Sequence, residues 1–276
     1  MKATVIVQAR VGSSRLPGKV LLPLPIGGKA TVLEQVCRRA ANSSGVEQVV
    51  AATTDSRKDD IIAEWAERNG YLCYRGSEDD VLDRYYQAAV RFGADPMVRI
   101  TSDCPCADGA VISEMLRLYA DSGADYVTNC SPRTFPHGLD AEIFSFAALK
   151  RAWVDAASPP YREHVTPYIY NSGLFKLQNY VNNSGGTGDA EIRVTLDTRE
   201  DYVLLCAVYV LLGENFSRVE LVNLFKTHGW LRMINEKIRQ KKLYGSVEDE
   251  LKDAVGFLRM QDMPNAAEKL AGALNP

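Results

Sequence analysis

At 276 residues and 30.5 kDa, with 46% apolar and 24% charged residues, the chain has the composition of a globular protein holding one large α/β domain and a modest appendage. Its formal net charge of −3 supplies no global basic field for gripping nucleic acid, so any nucleotide site has to be built locally. No run approaches the roughly 20 apolar residues of a membrane span, and the apolar run closed by Gln8 and Arg10 is too short for a secretory signal, so a cytoplasmic protein without membrane insertion is expected.

Thr4 to Ala9 reads as a short apolar strand, and it runs into the loop Arg10-Val11-Gly12-Ser13-Ser14-Arg15-Leu16-Pro17-Gly18-Lys19. Helical spacing of Val32, Leu33, Val36 and Ala40 predicts a helix over Thr31 to Ala41. Strands follow at Val46 to Thr53 and Tyr71 to Tyr74, separated by a helix from Lys58 to Asn69 that Gly70 terminates. Asp79 to Phe92 is a helix stopped by Gly93, Met97 to Thr101 a strand ending at Ser102-Asp103, Gly109 to Ala120 a helix, and Asp125 to Thr128 a strand. Such alternation predicts a layered sheet of parallel strands, whose ligands sit beyond the carboxyl ends. Both the Arg10–Lys19 loop and Asp103 fall at such ends.

Beyond this half, Leu139 to Phe144 reads as a strand and Phe146 to Ala156 as a helix broken at Ser158-Pro159-Pro160. Residues 182–189 are a loop by composition, Glu191 to Leu196 a further strand ending at Asp197, and Thr198 to Leu212 a helix. From Val219 onward the chain reads as helices, and about 247–274 forms a charged amphipathic tail with the look of a helical pair. The domain expectation is a body of 1–245, with an insert near 130–190, and a helical tail of 246–276.

Three features carry chemistry. In the first loop, two glycines and two serines expose backbone N–H groups while Arg10, Arg15 and Lys19 add positive charge, which suits a triphosphate and a departing pyrophosphate. It matches neither G-x-x-x-x-G-K-[ST] nor G-x-G-x-x-G, which weighs against ATPase and dehydrogenase readings. Asp103 at a strand end suits Mg²⁺, a hard ion that takes oxygen ligands; otherwise it caps the helix region that follows. Asp197 ends the next candidate strand and either joins Asp103 on one ion or acts as a plain helix cap beside Thr198. Six cysteines without framework spacing read as reduced thiols, and Cys104-Pro105-Cys106 lacks the second Cys pair or nearby His that zinc needs. His164, following the charged Arg162 and Glu163, reads as a substrate contact, His137 as a mobile loop residue, and His228 as a cation near a helix end.

The stretch Gln8-Ala9-Arg10-x-Gly12-Ser13-x-Arg15-Leu16-Pro17-Gly18-Lys19 resembles the signature of cytidylyltransferases acting on sugar acids, in particular the spore-coat-polysaccharide type. The resemblance continues through Tyr74–Tyr85, Arg99–Pro105, Gly138–Glu142, Arg162–Tyr168 and Val194–Thr198, and covers roughly residues 1 to 245. It implies an α/β fold, a Rossmann-like GT-A sandwich with a mixed, mostly parallel central sheet and a helical C-terminal extension. It further implies that Arg10, Arg15 and Lys19 bind the triphosphate, with Ala9, Gly12 and Ser13 along the nucleotide, and that Asp103 and Asp197 hold Mg²⁺, for which Mn²⁺ could substitute. Arg75, Gly76, Ser77 and Arg99 would edge the nucleotide pocket, and Asp140, Glu142, Arg162, Glu163 and His164 would face the sugar. Arg10, Arg15, Lys19 and Asp103 are the catalytic set this implies, CTP and a sugar acid the partners, and a homodimer the assembly. Ser102 stands where relatives often carry Gly, and the tail has no counterpart in the resemblance.

The expected reaction moves CMP from CTP to a sugar acid. Its alternatives are a sugar-1-phosphate nucleotidyltransferase making an NDP-sugar, a GT-A glycosyltransferase, and a non-catalytic nucleotide-binding subunit. Asp103-Cys104-Pro105 lacks the second carboxylate of the D-x-D pair that a GT-A glycosyltransferase typically uses.

Overall fold

A computed structural model describes residues 2–183, 186, 188–238 and 246–274. The chain divides into two compact units, Met1–Glu236 and Lys237–Pro276. The loop read at 182–189 and the boundary placed at 245 each fall partly outside the described residues.

The larger unit is built on a seven-stranded sheet. In chain order the strands are β1 (Ala3–Gln8), β2 (Val46–Thr54), β3 (Leu72–Gly76), β4 (Met97–Thr101), β5 (Tyr126–Thr128), β6 (Glu142–Phe144) and β7 (Leu177–Asn179). They lie side by side as β3-β2-β1-β4-β6-β5-β7. β1 pairs in parallel with β2 and β4, and β2 with β3, while β6 runs antiparallel between β4 and β5. The sheet is therefore mixed and mostly parallel, as expected.

Its two faces follow from the period-two alternation of the strands. Val5 and Val7 of β1, Ala51 of β2 and Val98 and Ile100 of β4 point to one side. There they meet α1 (Val32–Ala41), α2 (Asp60–Arg68) and α4 (Gly109–Ser122) through Leu33, Val36, Ile62, Ile112 and Met115. Ile6, Val50, Ala52 and Met97 point to the other, against Leu82, Tyr85 and Ala88 of α3 (Val81–Phe92) and Leu149 and Ala152 of α5 (Phe146–Asp155).

Helix starts are set by side-chain caps that satisfy otherwise orphaned N–H groups. Thr31 caps α1, Asp80 caps α3, Asp108 caps α4 and Ser145 caps α5, each accepting a backbone N–H of the first turn. Gly93 and Gly123 end α3 and α4 in the left-handed conformation that a Cβ disfavours.

Two short helices carry no periodic signal in the sequence, α6 (Pro159–His164) and α7 (Pro167–Asn171). The prolines that break α5 occupy the first turn of α6, where their missing N–H costs nothing. A third apolar cluster joins Leu24, Leu139, Val194 and Leu196 to α8 (Arg199–Leu212) and α9 (Arg218–Thr227). His228 is the C-cap residue of α9.

The strand expected at Glu191 to Leu196 does not form. Asp189–Glu191 is a one-turn 3₁₀ helix, and the extended chain after it makes a single bridge, His137 to Arg193, outside the sheet. The alternation that suggested a strand is real, since Ile192, Val194 and Leu196 are buried. Its partner is one turn of loop rather than a strand.

In the smaller unit, α10 (Val247–Met260) and α11 (Pro264–Leu274) pack against each other, so the tail is a helical pair. No helix among the described residues is long and apolar enough to cross a membrane.

Candidate active site

The carboxyl ends of β1 and β4 lie side by side because the two strands pair in register, Gln8 opposite Thr101. The loop after β1 therefore emerges beside Asp103. That loop is closed on itself by the Gly18 N–H donating to the Val11 carbonyl at 3.0 Å. It is tied down at its start by the Val11 N–H, which donates to Asp59 Oδ1 at 2.7 Å. Asp59 is itself buried and takes the hydroxyl of Thr54 at the end of β2. Gly18 has φ 70°, and Lys19 opens a one-turn 3₁₀ helix, Lys19–Leu21, directly after it. The ammonium of Lys19 is aimed by this turn.

That ammonium reaches three oxygens: Asp103 Oδ2 at 2.9 Å, Asp197 Oδ1 at 3.0 Å and the Leu196 carbonyl at 2.7 Å. The two aspartates, 94 residues apart in the chain by their numbers, thus share one cation. Their backbones are also stitched together. The Leu196 N–H donates to the Asp103 carbonyl at 2.8 Å and the Thr195 hydroxyl to the same oxygen at 3.1 Å.

Neither aspartate acts as a helix cap. Asp108 caps the helix after Asp103, and Thr198 caps α8 in a capping box with Asp201, which leaves the Asp197 side chain to the cations around it. Its Oδ2 takes Arg15 at 3.1 Å and Arg193 at 2.9 Å.

Behind Asp197 stands a carboxylate that sequence reading passed over. Asp201 is fully buried and accepts five hydrogen bonds, two from Arg193 (2.9 and 3.0 Å), one from Asn235 (2.8 Å) and the N–H groups of Asp197 and Thr198 (2.9 and 3.1 Å). The Thr198-x-x-Asp201 spacing was the available signal for the helix start. Nothing in the spacing shows that the same carboxylate also holds Arg193.

The electrostatics follow from burial opposed by pairing. Burial alone would lower the Lys19 pKa, yet Asp103 and Asp197 outweigh it and raise it above 10.5. Burial would raise Asp197, yet Lys19, Arg15 and Arg193 hold it below 3.8.

His137 is a correction. Expected as a mobile loop residue, it is locked in place, with its N–H on the Ile192 carbonyl at 2.8 Å and its own carbonyl taking Val194 N–H at 2.7 Å. Its ring lies 3.3 Å from Arg193 and 3.7 Å from Asp140 Oδ2. Burial, helped by Arg133 and Arg193, pushes its pKa below 6.5 against the pull of Asp140. The tight fit rests on Gly138, at φ 112°, where a Cβ would stand 2.6 Å from the Val194 backbone.

The other expected residues fall in different surroundings. Ala9 is buried at the end of β1, Gly12 and Ser13 lie in the loop, and Arg10 leans across to Glu78 at 3.4 Å. Arg75 spends its guanidinium on the Thr54 and Ser56 carbonyls (3.0 and 2.9 Å) and on Asp60, while Gly76 ends β3 and Ser77 accepts the Asp80 N–H. Arg99 and Glu142 face each other across β4 and β6 as a buried ion pair. Glu142 also takes Tyr126 OH and Thr166 Oγ1, at 2.5 and 2.7 Å. Asp140 is gripped by both terminal nitrogens of Arg133. Arg162 is committed to Asp80 and the Trp153 carbonyl, joining α6 to α3 and α5; Glu163 is exposed beside it and His164 ends the helix. Arg15, Lys19 and the two aspartates thus form one network, while Arg10 pairs with Glu78 and Arg162 with Asp80 outside it.

A divalent ion needs hard oxygen donors, and the Asp103–Asp197 pair supplies them. Among the described residues Asp103 Oδ1 has only the Cys104 thiol, at 3.7 Å, and Mg²⁺ characteristically uses one or two carboxylates and completes its shell with water and phosphate. The residues therefore fit the ion. No cluster of three or more His, Cys, Asp or Glu suited to a fully protein-made metal cage occurs among the described residues.

Comparison with known proteins places this geometry in context. A family model described as cytidylyltransferase matches residues 4–215. A cytidylyltransferase structure from Leptospira borgpetersenii superposes with a TM-score of 0.77 at 36% identity, covering 88% of this chain and 99% of that one. The spore coat polysaccharide biosynthesis protein SpsF of Bacillus subtilis is 33% identical over 227 residues, 79% of this chain and 92% of its own length. A CMP:2-keto-3-deoxy-manno-octonic acid synthetase solved with CTP shares the fold at a TM-score of 0.57 and 18% identity, covering 76% of this chain and 99% of that one.

Proposed function

The chain belongs to the cytidylyltransferase family of nucleotidyltransferases, and from that premise we propose that it transfers CMP from CTP to a sugar acid in the cytoplasm, releasing pyrophosphate for surface-polysaccharide or glycan biosynthesis. The observation that carries the reading is the convergence of the Arg10–Lys19 loop on the Asp103–Asp197 pair, with Lys19 touching both carboxylates and Arg15 one of them.

In this reading a sugar hydroxyl oxygen attacks the α-phosphorus of CTP in line, the bond to the bridging oxygen breaks, and pyrophosphate leaves with its electron pair while the hydroxyl proton passes to solvent. Arg10, Arg15 and Lys19 hold the β- and γ-phosphates and stabilise the charge that collects on the leaving group. Backbone N–H groups of Gly12 and Ser13 line the triphosphate. Asp103 and Asp197 would hold Mg²⁺, with Mn²⁺ a substitute, and the ion when bound supplies Lewis-acid polarisation of the α-phosphate. Arg193 and Asp201 keep Asp197 turned toward the cleft.

Asp140 and His137, whose ring lies 3.7 Å from Asp140 Oδ2, face the acceptor, and Arg133 fixes the orientation of Asp140. Glu142 and Arg162 serve the acceptor side by supporting its walls, since their polar atoms are taken by protein partners. The homodimer belongs to the same proposal, and the outward row Val203, Val210 and Leu211 on α8, 52%, 70% and 47% exposed, supports it.

The test is pyrophosphate release from each of the four NTPs with Mg²⁺ and a panel of nonulosonic acids, octulosonic acids and sugar 1-phosphates. Acceptor-dependent release with CTP, abolished in Asp103→Ala, is expected. Release with sugar 1-phosphates alone would reassign the acceptor, and absence of NTP binding would refute the reading.

A further inference from the structure

An ammonium has three N–H donors, and those of Lys19 are all spent on oxygens: Asp103 Oδ2 (2.9 Å), Asp197 Oδ1 (3.0 Å) and the Leu196 carbonyl (2.7 Å). Two of the three are carboxylate oxygens, the hardest donors in the cleft and the ones a divalent cation seeks. Asp197 Oδ2, by contrast, is already divided between Arg15 and Arg193, so Oδ1 is the lobe left to a cation. Asp103 keeps Oδ1 for an ion, but at Asp197 Oδ1 an ammonium and a divalent ion exclude each other by volume and by charge, so an ion shared by the two aspartates meets Lys19 there.

Building on the nucleotidyltransferase reading, the geometry points to Lys19 as a resident competitor of the divalent metal for Asp103 and Asp197, one that gives way when a triphosphate offers its ammonium other oxygens. The backbone around Lys19 permits this without rearrangement. Gly18 N–H on Val11, Lys19 N–H on Leu16 and Leu21 N–H on Gly18 (3.0, 3.2 and 2.9 Å) fix the base of the side chain. Only its four-carbon stem has to swing, a rotamer change rather than a loop movement.

The functional consequence is coupling. Metal binding to the chain by itself is weakened by the fraction of molecules in which Lys19 holds the carboxylates. A nucleotide that draws Lys19 onto its phosphates removes that penalty, and by linkage the metal strengthens nucleotide binding by the same factor. Lys19 thereby makes the aspartates a site for metal and triphosphate together rather than for free metal.

The experiment is a Mn²⁺ titration of the full chain without nucleotide, with free ion read by electron paramagnetic resonance, for the wild type, Lys19→Met and Lys19→Met with Asp103→Asn. Lys19→Met should bind Mn²⁺ on the order of tenfold more tightly than the wild type, within the usual range of coupling between sites. The added Asp103→Asn should abolish the gain. A second measurement on the unaltered protein guards against misfolding of the variants. Acylation of Lys19, followed by mass spectrometry, should rise several-fold at saturating Mn²⁺ as the ammonium is released. Equal Mn²⁺ affinity in wild type and Lys19→Met, with Lys19 labelling unchanged at saturation, overturns the competition and leaves the nucleotidyltransferase reading intact. Failure of wild type to bind Mn²⁺ even with CTP present would remove that reading, and the competition with it.

Discussion

Replacing Asp201 by Asn tests whether the carboxylate behind Asp197 organises the site. The substitution is nearly isosteric, so packing is unchanged and the effect isolates charge and hydrogen bonding. Asp201 accepts five hydrogen bonds at 0% exposure, two of them from the Arg193 guanidinium. An amide in its place turns one acceptor into a donor pointed at other donors, and removes the buried counter-charge of Arg193. Breaking a buried ion pair by neutralising one partner costs about 3–5 kcal/mol. Arg193 retains Asp197 as a partner at 2.9 Å, which places the expected loss near the lower end, about 3 kcal/mol. Urea unfolding should show this as a lower midpoint at unchanged slope, and the thermal midpoint should fall by roughly 6–12 °C for a unit of this size. CTP turnover should fall as well, because Asp197 loses the N–H anchor and the fixed guanidinium that aim it. Thr198→Ala is the control: it removes the N-cap hydroxyl but leaves the Asp201–Arg193 pair, and should cost only about 1 kcal/mol. A stability change for Asp201→Asn as small as that of Thr198→Ala, with turnover intact, would refute the positioning role.

Gly138→Ala forces a Cβ to 2.6 Å from the Val194 backbone at φ 112°, and should cost at least about 2 kcal/mol, measured by the same urea titration. The Lys19–Asp197 pair sets a pH window. Asp197 is held below 3.8, so its contribution is complete above that value and is lost as pH falls through its folded pKa. Lys19 is raised above 10.5, so its contribution is complete below 10.5 and disappears as pH rises through its folded pKa. Differential scanning calorimetry of wild type against Asp197→Asn should therefore show a constant gap through neutral pH that closes at both extremes. The His137 ring should titrate below 6.5 by NMR, and since the unfolded chain takes up that proton first, stability should decline as pH drops below 6.5. Val210→Glu places a charge in the exposed apolar row of α8, and sedimentation should show dimers of the wild type dissociating in the variant.

Periodicity and punctuation made most of the fold readable. Strand β1, its basic loop and the helices α1, α3, α4 and α8 were legible because each is a local event: an apolar period, a capping side chain, a glycine at the end. The basic character of the first loop was legible for the same reason, since cations and glycines adjacent in sequence stay adjacent in space. Strand β7 is three residues long with an exposed pattern, and α6 begins on the prolines that ended its predecessor, so neither carried a local signal. The segment Ile192–Leu196 alternates like a strand, and only the tertiary contact with His137 shows that its partner is a loop.

By itself the sequence determined the layered α/β class, the gathering of three cations with glycines and serines in residues 10–19, and two strand-end or helix-start aspartates that could each have been mere caps. Only the tertiary structure shows that neither Asp103 nor Asp197 caps a helix and that both meet Lys19. The sheet register brings β1 beside β4, a backbone bond from Leu196 to Asp103 joins segments far apart in the chain, and Lys19 closes the pair. It also sorted the remaining polar residues, burying Glu142 under Arg99 and Tyr126 and turning Arg162 toward Asp80. The physical reason is that helix and strand preferences act over a few residues. The meeting of two carboxylates on one ammonium depends on long-range packing, and no pattern within either segment encodes it.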